Sequence, residues 1–193
     1  PVARAQGVHF WTPEGKRYID FNSQLMCVNA GHGHPAIIKA IQDQAATLAY
    51  SNPFMATEPR ARLGAKLAEI TPGDMDVFFF TNGGAEANEN AIRIARAVTG
   101  RHKIMARYRG YHGGTAGALT LTGDPRRWAA EPGIPGVIHV LDPYHGLQRG
   151  WDTAAQSLAY LEEVIELEGP KHIAAFIIAD FLAHRDREGL GQA

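Results

Sequence analysis

The chain has 193 residues, 45% of them hydrophobic and 20% charged, with a formal net charge of −1. That length supports one sizeable core or two small ones, and the composition excludes disorder, coiled coil and collagen; with no basic run it also offers no electrostatic footprint for nucleic acid or an anionic membrane. A single cysteine, Cys27, excludes an internal disulfide, no segment reaches the ~20 apolar residues that span a bilayer, and the default compartment is a reducing cytoplasmic one.

In chain order, Val8, Phe10 and Trp11 stand opposite Tyr18, Ile19 and Phe21 across Pro13-Glu14-Gly15, which predicts a hairpin. After the break Gly31-His32-Gly33-His34-Pro35, the spacing of Ile37, Ile38, Ile41, Ala45 and Leu48 predicts a helix with Pro35 near its start. A second helix is expected over 58–70, through Leu63 and Leu67, closed by Pro72-Gly73. Next come an apolar strand over 77–81 and a helix presenting Ala87, Ala91, Ile94 and Val98 on one face. Strands follow at 103–107, 118–122 and 137–141, then a helix over 152–166 and a strand over 173–178. Apolar strands alternating with helices imply an α/β fold, a mostly parallel sheet covered by helices on both faces and preceded by a small hairpin-plus-helix segment. The candidate boundary lies near Ser51 to Thr57, dividing an amino-terminal segment, 1–55, from a large domain, 56–180. Residues 181–193 are polar and depart from the pattern, and the start at Pro1 rather than Met reads as the edge of a longer chain.

Two clusters carry chemistry. The first is Thr81-Asn82-Gly83-Gly84-Ala85, where a strand hands over to a helix. The first amides of a helix lack partners within it and carry the positive end of its dipole, so they suit an anion, and glycine lets that anion come close. Two glycines also make an ordinary tight turn, and the motif alone does not separate the readings. The second cluster is Tyr111-His112, bracketed by Gly110, Gly113 and Gly114 and so displayed on a loop. A flat aromatic there could stack on a heteroaromatic ligand; the alternative is a surface pair with no role. His32, His34 and His112 have no thiol or carboxylate companion at zinc spacing, so no metal site is expected.

Taken together and in order, "FFFTNGGAEANENAIRIAR", "KIMARYRGYHGGTAGALTLTG" and "TPEGKRYIDFNSQLMCVNAGHGHPAIIKAIQDQ" resemble the class III aminotransferases, pyridoxal-phosphate enzymes of fold type I that act on ω-amino groups. The resemblance runs from Val8 to about Ile178.

It implies pyridoxal 5′-phosphate as cofactor, an ω-amine or amino acid as donor, a keto acid such as pyruvate as acceptor, and a homodimer in the full-length enzyme. It assigns the phosphate to the backbone at Gly83, Gly84 and Ala85, without the hydroxyls that many relatives supply. It assigns the ring stack to Tyr111, with His112 beside it. Glu86 and Asn88 match a largely structural signature, while Met26 and Asp180 match substrate-side positions. The family's Schiff-base lysine and its pyridine-nitrogen aspartate have no counterpart here: Lys16, Lys39, Lys66, Lys103 and Lys171 all stand elsewhere. The chain is therefore expected to hold the cofactor-binding front of the enzyme and to be inactive alone. A non-catalytic cofactor-binding fragment, or an aminomutase or racemase on the same fold, are the alternatives.

Overall fold

The computed structural model describes residues 1–178. Contacts divide the chain between Phe78 and Phe79, and each unit is described by itself.

The amino-terminal unit opens with an antiparallel sheet of β1 (Arg4–Gln6), β2 (His9–Trp11) and β3 (Arg17–Ile19) in that order. β2 and β3 form the expected hairpin, with Phe10 stacked on Tyr18 at 5.3 Å. β1 escapes sequence patterning because three residues with one apolar member carry no alternation, and its ladder to β2 is what makes it a strand. The chain then makes one left-handed turn, α1 (Ser23–Met26), in which four consecutive non-glycine residues have φ between 49° and 63°. Left-handed backbone costs about 1–2 kcal/mol per L-residue, so local bonds must hold it. Asp20 accepts from the amides of Asn22 and Gln24, each at 3.3 Å, and its other oxygen lies 2.7 Å from His32 Nε2. Asn22 accepts from Leu25 N. Two helices complete the unit, α2 (Pro35–Thr47) and α3 (Glu58–Ile70), each with proline in its first turn where no hydrogen bond is forfeited. α3 thus falls in the first unit, although the sequence reading groups it with 56–180.

The second unit holds a parallel sheet in the order β5-β4-β6, with β4 (Lys103–Arg107) central between β5 (Val137–Val140) and β6 (Ile173–Ile177). Ile104, Met105 and Ala106 are all buried, so the central strand is covered on both faces. Ile104 and Ala106 cluster with Ile92 of α4 (Gly84–Thr99) and Leu121 of α5 (Ala116–Leu121). α4 ends on Gly100 at φ 66°, the usual left-handed stop. Beyond it come α6 (Pro143–Gln148) and α7 (Ala154–Glu168), the latter begun by a Thr153–Gln156 capping box.

Three expectations need correction. Residues 77–81 form no strand: β4 already has both its neighbours, the segment finds no partner among the described residues, and Val77 and Phe79 stand largely exposed. An extended apolar run becomes a strand only when its backbone pairs. Residues 118–122, whose Leu and Thr alternate as in a strand, are mostly helical, and a distant carboxylate described below explains why. The packed face of α4 is that of Ile92 and Ala95 rather than that of Ala87, Ala91, Ile94 and Val98; Ile94 and Val98 are exposed.

Candidate functional site

Everything that positions the site starts from the amino-terminal turns of α4. Gly83 is its N-cap in extended backbone, with no side chain capping the helix. The amides of the first turn therefore point outward without intrahelical acceptors. A Cβ added at Gly83 or at Gly84 would meet nothing within 4 Å, so the backbone here is open to an approaching ligand. One neighbour already uses this end. Glu86 turns back so that its carboxylate accepts from Asn82 N at 2.8 Å and Asn82 Nδ2 at 3.2 Å. The first amide of the helix with a backbone acceptor is Ala87 N, which donates to Gly83 O at 3.0 Å, so the amides of Gly84, Ala85 and Glu86 precede the helical ladder.

The second cluster is brought to this end of the helix by three contacts. β4 runs out at Arg107 into the loop that carries Tyr111, and Gly113 on that loop lies against Ala85. A Cβ added to Gly113 would sit 2.6 Å from Ala85 Cβ, and its φ of 132° admits few side chains. Asn88, one turn into α4, donates from Nδ2 to His112 O at 2.6 Å. Glu89 then reaches across to the start of α5. Its Oε1 accepts from Thr115 Oγ1 at 2.5 Å, Gly117 N at 2.7 Å and Ala118 N at 3.1 Å. Those are the orphan donors of a helix start, so Glu89 caps α5 from another element and draws residues 116–121 into a helix. Burial raises the Glu89 pKa, but the bonds from Thr115, Ala118 and Gly117 outweigh it and the net shift is downward. The amino terminus of α4 and the loop after β4 thus meet at the carboxyl edge of the parallel sheet, where α/β proteins bind ligands.

Within the loop the two rings differ. Tyr111 is 39% exposed, and the Arg126 guanidinium lies 3.8 Å from its ring centroid. His112 is buried at 5% exposure, its amide donating to Thr122 Oγ1 at 3.1 Å. Its Nε2 finds no partner among the described residues. Burial lowers the His112 pKa, and the nearby His139 and Arg107 lower it further, so the ring is neutral at pH 7.

The sequence candidates therefore fall out as follows. Gly83, Gly84, Ala85, Tyr111 and His112 are gathered in one unit around one helix end. Met26 sits in the other unit, on the left-handed turn. Asp180 lies outside the described residues. Lys103 is at the opposite end of β4 from the loop, about 13 Å away at ~3.3 Å per residue, and its ammonium is tied to Glu168 at 2.7 Å. Sequence reading missed Glu89, whose partners lie 26 to 29 residues away. It also missed Asp124 and Arg126, although Asp before Pro125 is a readable start for the 3-10 turn Pro125–Ala130. A cavity of about 670 Å³ in the same unit, lined in part by Thr120, Arg127, Glu131 and His139, includes none of these candidates.

Parallel sheet, uncapped helix end and glycine-framed aromatic loop define the class: an α/β protein with its candidate site at the carboxyl edge of the sheet. The chain belongs to the class III aminotransferases, whose family model matches residues 1–180. It is 36% identical over 191 residues to an omega-aminotransferase of Caulobacter vibrioides, covering 92% of this chain and 43% of that one. It is 42% identical over 144 residues to an acetylornithine aminotransferase of Streptomyces clavuligerus, covering 73% and 34%. Among solved structures, taurine:2-oxoglutarate aminotransferase from Bifidobacterium kashiwanohense, determined with PLP and glutamate, superposes with a TM-score of 0.86 at 42% identity, covering 92% of this chain and 42% of that one. The chain thus spans less than half the length of these relatives.

Proposed function

We infer that this chain supplies the cofactor-phosphate cup and ring platform of a class III aminotransferase that moves an amino group from an ω-amine or amino acid to a keto acid such as pyruvate. The observation that carries this is the meeting of the open α4 amino terminus with the Tyr111 loop. The residues fit pyridoxal phosphate: a Cβ at Gly83 or Gly84 would meet nothing within 4 Å, so the backbone at the start of α4 can be approached closely, and Tyr111 keeps two fifths of its surface exposed for a flat ring. When bound, the cofactor supplies an electron sink for the substrate's Cα. The protein's part is positional. Gly84 and Ala85 donate to the phosphate, Asn88 fixes the loop backbone at His112, and Tyr111 presents its face. His112 is buried with its ring close against Gly110, where it supports the loop. Met26 and Asp180 belong to the substrate side, and residues 56–180 act as the cofactor domain of a homodimer, as the family resemblance implies; the single cysteine supports a reducing, cytoplasmic compartment.

A sharp test is Gly84→Val. Because an added Cβ there meets open space, the change leaves the fold intact while blocking approach to the amides. Pyridoxal phosphate affinity, measured by fluorescence titration, is expected to fall at least about tenfold, since one charge-assisted hydrogen bond is worth ~1.5 kcal/mol or more. Unchanged affinity would send the phosphate elsewhere.

None of the five lysines occupies a cofactor-side position by the family pattern, and the one on the sheet is committed to Glu168. The chain of 193 residues with pyridoxal phosphate added is therefore expected to transfer no amino group to pyruvate above the free cofactor's own rate. Turnover that disappears in Lys103→Ala or Lys171→Ala would refute this.

A further inference from the structure

A flat ring has two faces, and on Tyr111 one of them is already taken. The Arg126 guanidinium lies 3.8 Å from the ring centroid, within stacking distance, so any flat ligand that uses Tyr111 must take the opposite face. Arg126 is not a loose surface cation that drifted there. Its Nε donates to both oxygens of Asp124 at 2.9 Å, its Nη2 donates to Asp124 Oδ2, and its own amide donates to Asp124 Oδ1 at 3.0 Å. Asp124 in turn follows Gly123, whose amide donates to Gly110 O at 2.8 Å, and Gly123 lies so close to Arg107 and Tyr108 that a Cβ there would overlap their backbone. The base of the Tyr111 loop, Gly123, Asp124, Arg126 and the ring of Tyr111 form one closed circuit. The side-chain bond to Arg126 is also the main reason that the Asp124 carboxyl stays below its ordinary pKa, so the two remain a charged pair across the physiological range.

We propose that Arg126, held over the ring by Asp124, is a positioning residue that backs one face of Tyr111 and leaves the opposite face to stack on the cofactor's pyridine. The inference rests on the function proposed above and deepens it, since it states which face of Tyr111 is used and what keeps that face in place. The charge of Arg126 is compensated by Asp124, so the guanidinium acts through its planar shape rather than as a free anion receptor. A lysine cannot replace it, because an ammonium has no plane to lay against a ring.

The test is a double-mutant cycle read by binding, with pyridoxamine 5′-phosphate as the probe because it carries ring and phosphate but no aldehyde to form a covalent link. Its dissociation constant is measured in the purified protein by fluorescence quenching for wild type, Arg126→Met, Tyr111→Ala and the pair. Arg126→Met is expected to weaken binding about two- to fivefold, the size of an exposed cation–π contact, and Tyr111→Ala by up to about tenfold. In the Tyr111→Ala background Arg126→Met should have no further effect, which a general loss of stability would not reproduce. Arg126→Lys should behave like Arg126→Met. If Arg126→Met does not fold, Asp124→Asn serves in its place, because it frees the guanidinium without removing it and should weaken binding through Tyr111 in the same way. Weakening by Tyr111→Ala with no effect of Arg126→Met, or effects that simply add, would overturn the proposal and leave the function standing. No effect of Tyr111→Ala would overturn the function reading itself.

Discussion

Gly113→Ala is expected to destabilise the protein by about 2–6 kcal/mol and to abolish ordered cofactor binding. The magnitude combines two costs. At φ 132° an L-residue is strained, which costs on the order of 1–3 kcal/mol, and the new methyl would sit 2.6 Å from Ala85 Cβ and 2.8 Å from Ala85 Cα, an overpacking worth roughly another 1–3 kcal/mol. The clash falls on the contact that joins the Tyr111 loop to the amino terminus of α4, so the loop has to move off the helix to relieve it. Gly114→Ala is the built-in control. Its added Cβ meets nothing within 4 Å, and its φ lies outside the left-handed region. Thermal melts of both variants should show a drop of several degrees for Gly113→Ala and almost none for Gly114→Ala; equal melting temperatures would remove the close approach from the account.

Glu89 is the second lever, and its effect depends on pH. Glu89→Ala leaves the Gly117 and Ala118 amides and the Thr115 hydroxyl without their acceptor, at a cost of about 2–4 kcal/mol if only part of that demand is met by water. Glu89→Gln keeps an oxygen in place and should retain most of the stability. The folded-state pKa of Glu89 is depressed, so its charged form adds stability above the unfolded value near 4.5. That contribution is lost as pH falls from there through the lower folded pKa. Wild type should therefore lose more stability between neutral and acid pH than Glu89→Gln does. Parallel stability–pH curves for the two proteins would show that the carboxylate charge does not hold α5.

The contrast between α4 and α5 shows where sequence reading works in this molecule. α3 was legible to the residue, because its apolar spacing, the first-turn proline and the closing Pro72-Gly73 are all local signals. β4, β5, α7 and β6 were legible to within two residues for the same reason. α5 was misread because its helical state comes from Glu89, far away in sequence, and no window over 116–121 contains that carboxylate. Residues 77–81 were misread for the converse reason, since a local pattern promised a strand and the tertiary partner is absent among the described residues. The site divides in the same way. Gly83, Gly84, Tyr111 and His112 were legible as residue types at a helix start and in a glycine loop, and family resemblance gave them roles. That Asn88 and Gly113 join the two clusters, and that Arg126 occupies one face of Tyr111, are facts of three-dimensional packing with no periodic signature.

In the proposed function the open amides of Gly84 and Ala85 take the cofactor's phosphate while Tyr111 takes its ring. The measurement that tests it most directly is a paired titration of the purified protein with pyridoxal phosphate and with phosphate-free pyridoxal, repeated in the presence of inorganic phosphate. Pyridoxal phosphate is expected to bind at least about tenfold tighter, since each charge-assisted bond to an amide is worth ~1.5 kcal/mol or more, and inorganic phosphate is expected to compete with it but not with pyridoxal. Equal affinity for the two, indifferent to inorganic phosphate, would mean that the glycines serve only the turn.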